Sequence, residues 1–151
     1  MLLSKTSEYA LLLVLYLVSH PAETFTPLGR IAHETGISFF RLSKVAQALI
    51  RAGILISYTG PNGGVNLAKP PDRLRLFDVV EALEGPAVFD GCVLGLDQCG
   101  EENPCPVHTY WKEAKNVITR MFKEMTLDQF TELELLETLD SGKVLRKELT
   151  K

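Results

Sequence analysis

The sequence has little that could cross a bilayer. The stretch from Ala10 to Val18 is apolar, but it falls far short of the roughly 20 residues that a membrane-spanning helix needs. A single basic residue, Lys5, precedes it, and no small-residue cleavage site follows it. We therefore expect neither a membrane anchor nor a secretory signal peptide.

Cysteine is scarce, and catalytic constellations are missing. The chain has three cysteines, an odd number that argues against a disulfide framework and predicts a reducing, cytoplasmic location. We find no nucleophile with a paired base, no phosphate-binding loop and no pair of acids, so we expect the chain not to be an enzyme. With 46% hydrophobic residues among 151, it can bury a single core, or a small domain plus an oligomerisation element.

Net positive charge, which is typical of nucleic-acid-binding domains, is also missing from the whole chain. The formal charge is -3, but residues 1–75 carry eight Lys or Arg against four acids, so this half is +4 and the remainder -7. Such asymmetry indicates that the basic half meets a polyanion, although +4 over 75 residues also fits an ordinary solvated surface.

Two helices are predicted at the start of the basic half. The first begins near Ser4 or Thr6 and ends at about Ser19, because its leucines make it apolar on most sides. The second begins after Thr26, which would be the N-cap because a proline follows it, and ends at Gly36.

A third helix is predicted to begin at Ser38 as its N-cap. Its apolar residues follow helical spacing, and they are Leu42, Val45, Ala46, Leu49 and Ile50. The other face carries Arg41, Lys44, Gln47 and Arg51. Two helices joined by a tight glycine-containing turn, with a basic second helix, are typical of a helix-turn-helix, but an ordinary helical hairpin fits this pattern equally well.

The next segment favours the DNA-binding interpretation. Residues 54–58 are strand formers, residues 60–64 are rich in glycine, and Val65 and Leu67 alternate with a polar residue. This pattern predicts a hairpin, the wing of a winged helix, although the same glycines also suit a plain hairpin loop. The residues that we expect to contact double-stranded DNA are Ser38, Arg41, Lys44, Gln47, Thr59, Gly60, Asn62 and Gly63.

A metal site is predicted between residues 86 and 105, where helical periodicity stops after Gly85. Six residues separate Cys92 from Cys99, five separate Cys99 from Cys105, and two separate Cys105 from His108. Thiolates and imidazole select soft or borderline metals, so this stretch predicts either zinc or an iron-sulfur cluster.

A long helix is predicted from Pro106 to Met125, and it could pack on its own winged domain, although its length and its place after the loop favour a partner helix in a homodimer. Its apolar residues step by four and three, and they are Val107, Trp111, Ala114, Ile118, Met121 and Met125. A last helix is predicted from Thr126. The predicted division is therefore a winged helix-turn-helix domain at 1–85, a cysteine loop at 86–105, a dimerisation helix at 106–125 and a C-terminal helix and tail at 126–151. The fold class is mainly α with a small β-hairpin.

Together these residues resemble the Rrf family of bacterial winged-helix regulators, which includes IscR and NsrR. The matching segments cover roughly residues 1–140, and they are Leu3 to Ala10, Ile31-Ala32, Gly36-Ile37-Ser38, Gly53-Ile54-Leu55, the wing glycines, and the three-cysteine loop followed by a Trp-containing helix. The resemblance implies a dimeric transcription factor whose cysteines hold an iron-sulfur cluster that reports on cluster supply, oxygen, redox state or nitric oxide.

The resemblance also implies candidates for the fourth ligand. His108 resembles the ligand histidine of IscR, which favours a two-iron, two-sulfur cluster. Glu8 resembles the acid that NsrR-like members contribute from the partner subunit to a four-iron, four-sulfur cluster. One member with an unusual cluster uses a Glu and a His near the positions of Glu8 and His33, but we interpret His33 as a surface residue.

Two departures from the family pattern affect these expectations. The wing has Thr59 where the family commonly has an arginine, and Val65 where it has an aromatic residue. These changes predict weaker or differently specific wing contacts. The interval from Cys92 to Cys99 is one residue longer than in many IscR-like members, which leaves the geometry of the loop open.

Overall fold

The computed structural model describes residues 3–97 and 100–130. That part of the chain contains five α-helices and a two-stranded antiparallel hairpin, in the order α1 (Lys5–Ser19), α2 (Leu28–Thr35), α3 (Phe39–Arg51), β1 (Leu55–Tyr58), β2 (Gly64–Leu67), α4 (Leu76–Glu84) and α5 (His108–Glu124). The predicted fold class, mainly α with a small hairpin, is confirmed. Within these residues, no helix combines the length and apolar character needed to cross a membrane.

Local signals in the sequence set the ends of the first three helices. The Ser4 hydroxyl accepts the Ser7 N–H at 3.2 Å and caps α1. Ser38 caps α3 in the same way, accepting the Arg41 N–H at 3.4 Å. Gly36 ends α2 with a φ of +72°, a left-handed conformation that glycine adopts without steric cost.

The core lies where α1 crosses α3 and α4. Its fully buried side chains come from α1 to α4 and from the hairpin, and the largest include Leu13, Tyr16, Ile31, Leu42, Leu49, Leu55, Val79 and Val80. Because the buried positions of α3 all lie on one face, its polar face is left at the surface. The contacts of its buried face with the core therefore fix the orientation of α3 within the domain.

The prediction that Thr26 caps α2 is wrong. Pro27 occupies the cap position, and no side chain caps this helix. Thr26 instead pairs with Val65 of β2: each N–H donates to the other's carbonyl at 2.9 Å. This pairing holds Thr26 in an extended conformation, so a short third segment of backbone lies beside β2.

Gly64 lies against this pairing, and its replacement is expected to destabilise the fold. A Cβ at Gly64 would lie 2.1 Å from the Thr26 carbonyl oxygen, so Gly64→Ala must displace the backbone of a paired segment. We expect the free energy of unfolding, measured in urea at fixed protein concentration, to fall by about 3 kcal/mol. Gly29→Ala is the control, because its Cβ would meet nothing within 4 Å. An equal loss in both variants would contradict this explanation.

Helix α5 is attached to the winged domain at its C-terminal end. The Phe122 ring of α5 packs on Phe89 with centroids 5.0 Å apart, and Phe89 in turn packs on Phe77 of α4 at 6.3 Å. Just beyond the helix, the Leu127 N–H donates to Leu74 O at 2.8 Å and the Leu76 N–H donates to Met125 O at 3.1 Å. The helix predicted from Thr126 is a short 3-10 helix at Leu127–Phe130, and its remainder lies outside the described residues.

A polar cluster joins α1 to α2. The Tyr16 hydroxyl donates to the Glu34 carboxylate, and Arg30 Nε donates to the same carboxylate at 2.9 Å. The His20 ring stacks on Tyr16 at 4.2 Å. Burial and the hydrogen bond to Glu34 raise the pKa of Tyr16 to about 12, and the Tyr16 and Arg30 hydrogen bonds lower the pKa of Glu34.

This cluster predicts an alkaline loss of stability. Because the pKa of Tyr16 is higher in the folded state than the ordinary value of 10.0, its contribution is complete below pH 10 and is lost as the pH rises to about 12. Two pKa units correspond to roughly 2–3 kcal/mol. Urea unfolding between pH 8 and 12 should show this fall in the wild type and not in Tyr16→Phe. Parallel curves for the two proteins would refute the assignment.

Candidate nucleic-acid interface and cysteine cavity

The outer face of α3 carries the predicted recognition residues. Ser38, Arg41, Lys44 and Gln47 are all exposed, while Leu42 and its buried neighbours face the core. Ser38 and Arg41 lie at the N-terminal end of the helix, the end that contacts base edges in helix-turn-helix proteins. The structure thus brings these four residues together on one surface.

A basic cleft lies between α1 and α3. Arg41 Nη1 donates to the Tyr9 hydroxyl at 3.0 Å, and its guanidinium carbon lies 5.8 Å from the centre of the Tyr9 ring. Lys5, Thr6 and Lys44 line the same cavity of about 320 Å³. Sequence patterns did not predict Lys5 or Tyr9 for this surface, because no local signal shows that the start of α1 meets α3.

The hairpin forms the wing, with Thr59, Gly60 and Asn62 exposed at its tip. Gly60 has a φ of +140°, and the Gly63 N–H donates to its carbonyl at 2.9 Å. A Cβ at Gly63 would lie 2.5 Å from Tyr58 O. Both glycines are therefore required by the turn itself, so their presence does not by itself indicate contact with DNA.

The cysteine loop and the N-terminal half of α5 line a second cavity. Its volume is about 420 Å³, and Cys92, Cys105, His108 and Trp111 are among its lining residues. Both cysteines are half-buried, and Nε2 of His108 is buried. Cys99, the third predicted ligand, lies outside the described residues.

Helix α5 contacts the cysteine loop both before and after Cys99 in the sequence. Trp111 Nε1 donates to Gly91 O at 2.8 Å, and Lys115 Nζ donates to Asp90 O at 3.3 Å. After Cys99, Lys112 forms an ion pair with Glu101, and this hydrogen bond and charge lower the pKa of the Glu101 carboxyl. The loop is thus fastened to one helix on both sides of Cys99.

The chemistry of the cavity suits a soft metal centre. Two thiols and one imidazole are the donors that iron-sulfur clusters and zinc take. Among the described residues alone, no three His, Cys, Asp or Glu side chains are grouped closely enough to hold a metal ion. The other candidate ligands lie elsewhere: Glu8 accepts from Lys5 Nζ at 2.7 Å on α1, and His33 is exposed on α2.

A helix-turn-helix with a basic outer face, followed by a glycine-rich hairpin, defines a winged-helix transcriptional regulator. The chain belongs to the Rrf2 family, whose description is "Iron-dependent Transcriptional regulator" and whose sequence profile matches residues 3–133. The predicted family is thereby confirmed.

Similar proteins agree with this membership. A protein of Aquifex aeolicus (strain VF5), whose name places it among HTH-type transcriptional regulators, is 33% identical over 136 residues, which are 89% of this chain and 94% of that protein. The HTH-type transcriptional regulator IscR of Pectobacterium carotovorum subsp. carotovorum (strain PC1) is 28% identical over 141 residues, 93% of this chain and 85% of its own length. These relatives are regulators of transcription rather than enzymes.

Two solved structures share the fold. CymR, the global cysteine regulator of B. subtilis, superposes with a TM-score of 0.72 at 24% identity and covers 87% of this chain and 98% of its own. T. potens IscR gives a TM-score of 0.66 at 23% identity and covers 93% of this chain and 90% of its own. At these identities the likeness concerns the fold alone.

Proposed function

We propose that this regulator is a homodimer whose binding to operator DNA is switched by an iron-sulfur cluster on Cys92, Cys99, Cys105 and His108. The observation that supports it most is the cavity at the start of α5, which is lined by Cys92, Cys105 and His108. When bound, such a cluster would supply a centre that reacts with oxidants or nitric oxide. Membership of a family described as iron-dependent is consistent with this proposal.

The proposed DNA contacts come from α3 and the wing. The α3 residues that would face the major groove are Ser38, Arg41, Lys44 and Gln47. The wing residues that would lie along the backbone or minor groove are Thr59, Gly60, Asn62 and Gly63. The exposure of all four α3 residues supports the first set. For the wing, the exposed tip supports contact, while the absence of a cation at Thr59 favours a modest contribution.

The proposed dimer contact is the outward face of α5. Of the predicted seam, Trp111, Ile118 and Met125 are half-buried. The exposed apolar residues of α5 and its N-cap are instead spaced by three and four, and they are Val107, Tyr110, Ala114, Val117 and Met121. Tyr110 leaves 76% of its surface exposed and Val117 leaves 57%. A second copy that packs here would bury a heptad-spaced stripe and place two recognition helices in one particle.

The contacts of α5 provide a route from the cavity to the winged domain. Trp111 and Lys112 fix the arms of the loop near its N-terminal end, while Phe122 and the residues after it pack on the winged domain at the other end. Loosening the loop would therefore change how α5 is held, and with it the half-site spacing that the dimer can match.

Anaerobic purification followed by an absorption spectrum and by iron, sulfide and zinc assays tests the cofactor. We expect a coloured protein with iron and acid-labile sulfide. A colourless protein with one zinc per chain and no sulfide would replace this proposal by the alternative, a DNA-binding protein with a structural zinc on the same cysteines and no cluster switch.

Single substitutions test the fourth ligand. Because His108 lines the cavity with two cysteines and Glu8 lies on α1 in an ion pair with Lys5, we expect His108→Ala to lose cluster and Glu8→Ala to keep it. A cluster that survives in His108→Ala and is lost in Glu8→Ala would transfer the assignment to Glu8 and favour a four-iron, four-sulfur type.

A further inference from the structure

Two phenylalanine rings are exposed at the start of the recognition helix. Phe39 and Phe40 are the first two residues of α3, and they leave 58% and 66% of their surfaces exposed. Because neighbouring residues on a helix point about 100° apart, each ring presents its own apolar surface to solvent. The surface around them is basic, since Arg41 and Lys44 follow on the same helix.

The two rings have different surroundings. Phe39 lines the groove between α3 and the wing, together with Tyr58 and Gly63. Phe40 is not part of that groove, and its ring instead lies 4.4 Å from Lys44 Nζ. Phe40 is therefore an apolar surface beside a cation, which suits a partner that is both anionic and partly apolar.

The major groove of DNA has this combination. Its phosphates attract Lys44, and each thymine presents its 5-methyl group to side chains in the groove. First-turn residues of a recognition helix reach base edges, and a phenylalanine ring can accept a methyl group by apolar contact. Because Arg41 is directed to Tyr9 on α1, its guanidinium does not cover Phe40, which stays 66% exposed with Lys44 Nζ over its ring.

We infer that Phe40 is a specificity-determining residue that recognises the methyl group of one thymine in each operator half-site. This inference rests on the proposed DNA-binding function and specifies one base contact within it. It predicts that the residue at the second position of α3 discriminates thymine from uracil, which differs from it only by that methyl group.

The test begins with duplexes selected by the wild-type protein from a random DNA pool. Each thymine of the selected site is then replaced in turn by deoxyuridine, and affinity is measured at fixed salt. At one thymine per half-site we expect binding by the wild type to weaken about threefold to fivefold, the effect of one buried methyl group. Phe40→Ala should bind both duplexes equally, and Phe40→Leu should keep part of the difference.

Arg41→Ala is the matched control, because it should weaken binding to both duplexes and leave their ratio unchanged. The inference is overturned if no thymine shows the methyl effect, or if Phe40→Ala shows the same effect as the wild type. A protein that enriches no sequence from the pool overturns the proposed DNA binding itself, so the two failures are distinguishable. Since the Phe40 ring is exposed, Phe40→Ala should keep the thermal midpoint of the wild type.

Discussion

Replacing Arg41 by alanine is expected to weaken operator binding by roughly 10-fold to 100-fold, the range for losing an arginine that contacts a base. Arg41 lies in the first turn of α3, is exposed, and is oriented by the Tyr9 hydroxyl at 3.0 Å. A guanidinium that is already oriented by a hydrogen bond in the free protein loses less side-chain entropy when it binds DNA. Fluorescence anisotropy with a selected duplex at matched salt would measure the loss.

Arg51→Ala is the control for this prediction. Arg51 is an exposed arginine of the same helix, but it lies at the C-terminal end, away from the turn that reaches base edges. We expect a clearly smaller loss of affinity for Arg51→Ala and an unchanged content of iron and sulfide in both variants. Equal affinity of Arg41→Ala and wild type would remove Arg41 from the interface.

Replacing Cys105 by serine is expected to remove the proposed metal centre. Cys105 lines the cavity with Cys92, and its carbonyl accepts the His108 N–H at 2.9 Å, so it connects the loop to the first turn of α5. Serine keeps the size of the side chain but is a much poorer ligand for a soft metal. We expect iron and sulfide per chain to fall by more than about tenfold, since even indirect support of a ligand can account for that factor.

Asn103→Ser introduces the same residue into the same loop without touching a predicted ligand. Asn103 is exposed, so this variant should keep the iron and sulfide of the wild type. If Cys105→Ser also keeps them, the proposed ligand set is refuted, whichever residue provides the fourth donor.

Local features of the sequence predicted most elements of the fold. Ser38 caps α3 and Gly36 ends α2 as expected, because caps and left-handed glycines act within a few residues. Thr26 shows where this reasoning fails. A threonine before a proline suits a helix cap, but the backbone of Val65, far along the chain, pairs with it instead.

The candidate sites show the same division between local and distant effects. The spacing of Cys92, Cys105 and His108 in the sequence predicted that they lie close together, and the structure places all three around one cavity. The attachment of the cysteine loop to α5 through Trp111 and Lys112 could not be predicted, because hydrogen bonds between distant segments leave no periodicity in the sequence. The domain boundaries and the individual DNA contacts stay predictions.

The hydrogen bond from the Leu127 N–H to Leu74 O anchors the chain just after α5. The anchored end can therefore be treated as the pivot about which the helix would tilt. The pivot is at its C-terminal end, and a helix of 17 residues reaches roughly 25 Å to the far end, where His108 lies. A tilt of roughly 5° at the pivot would move that end by roughly 2 Å. A small change of angle where α5 joins the winged domain thus corresponds to a displacement of roughly 2 Å for His108 and for the loop segments that Trp111 and Lys112 hold.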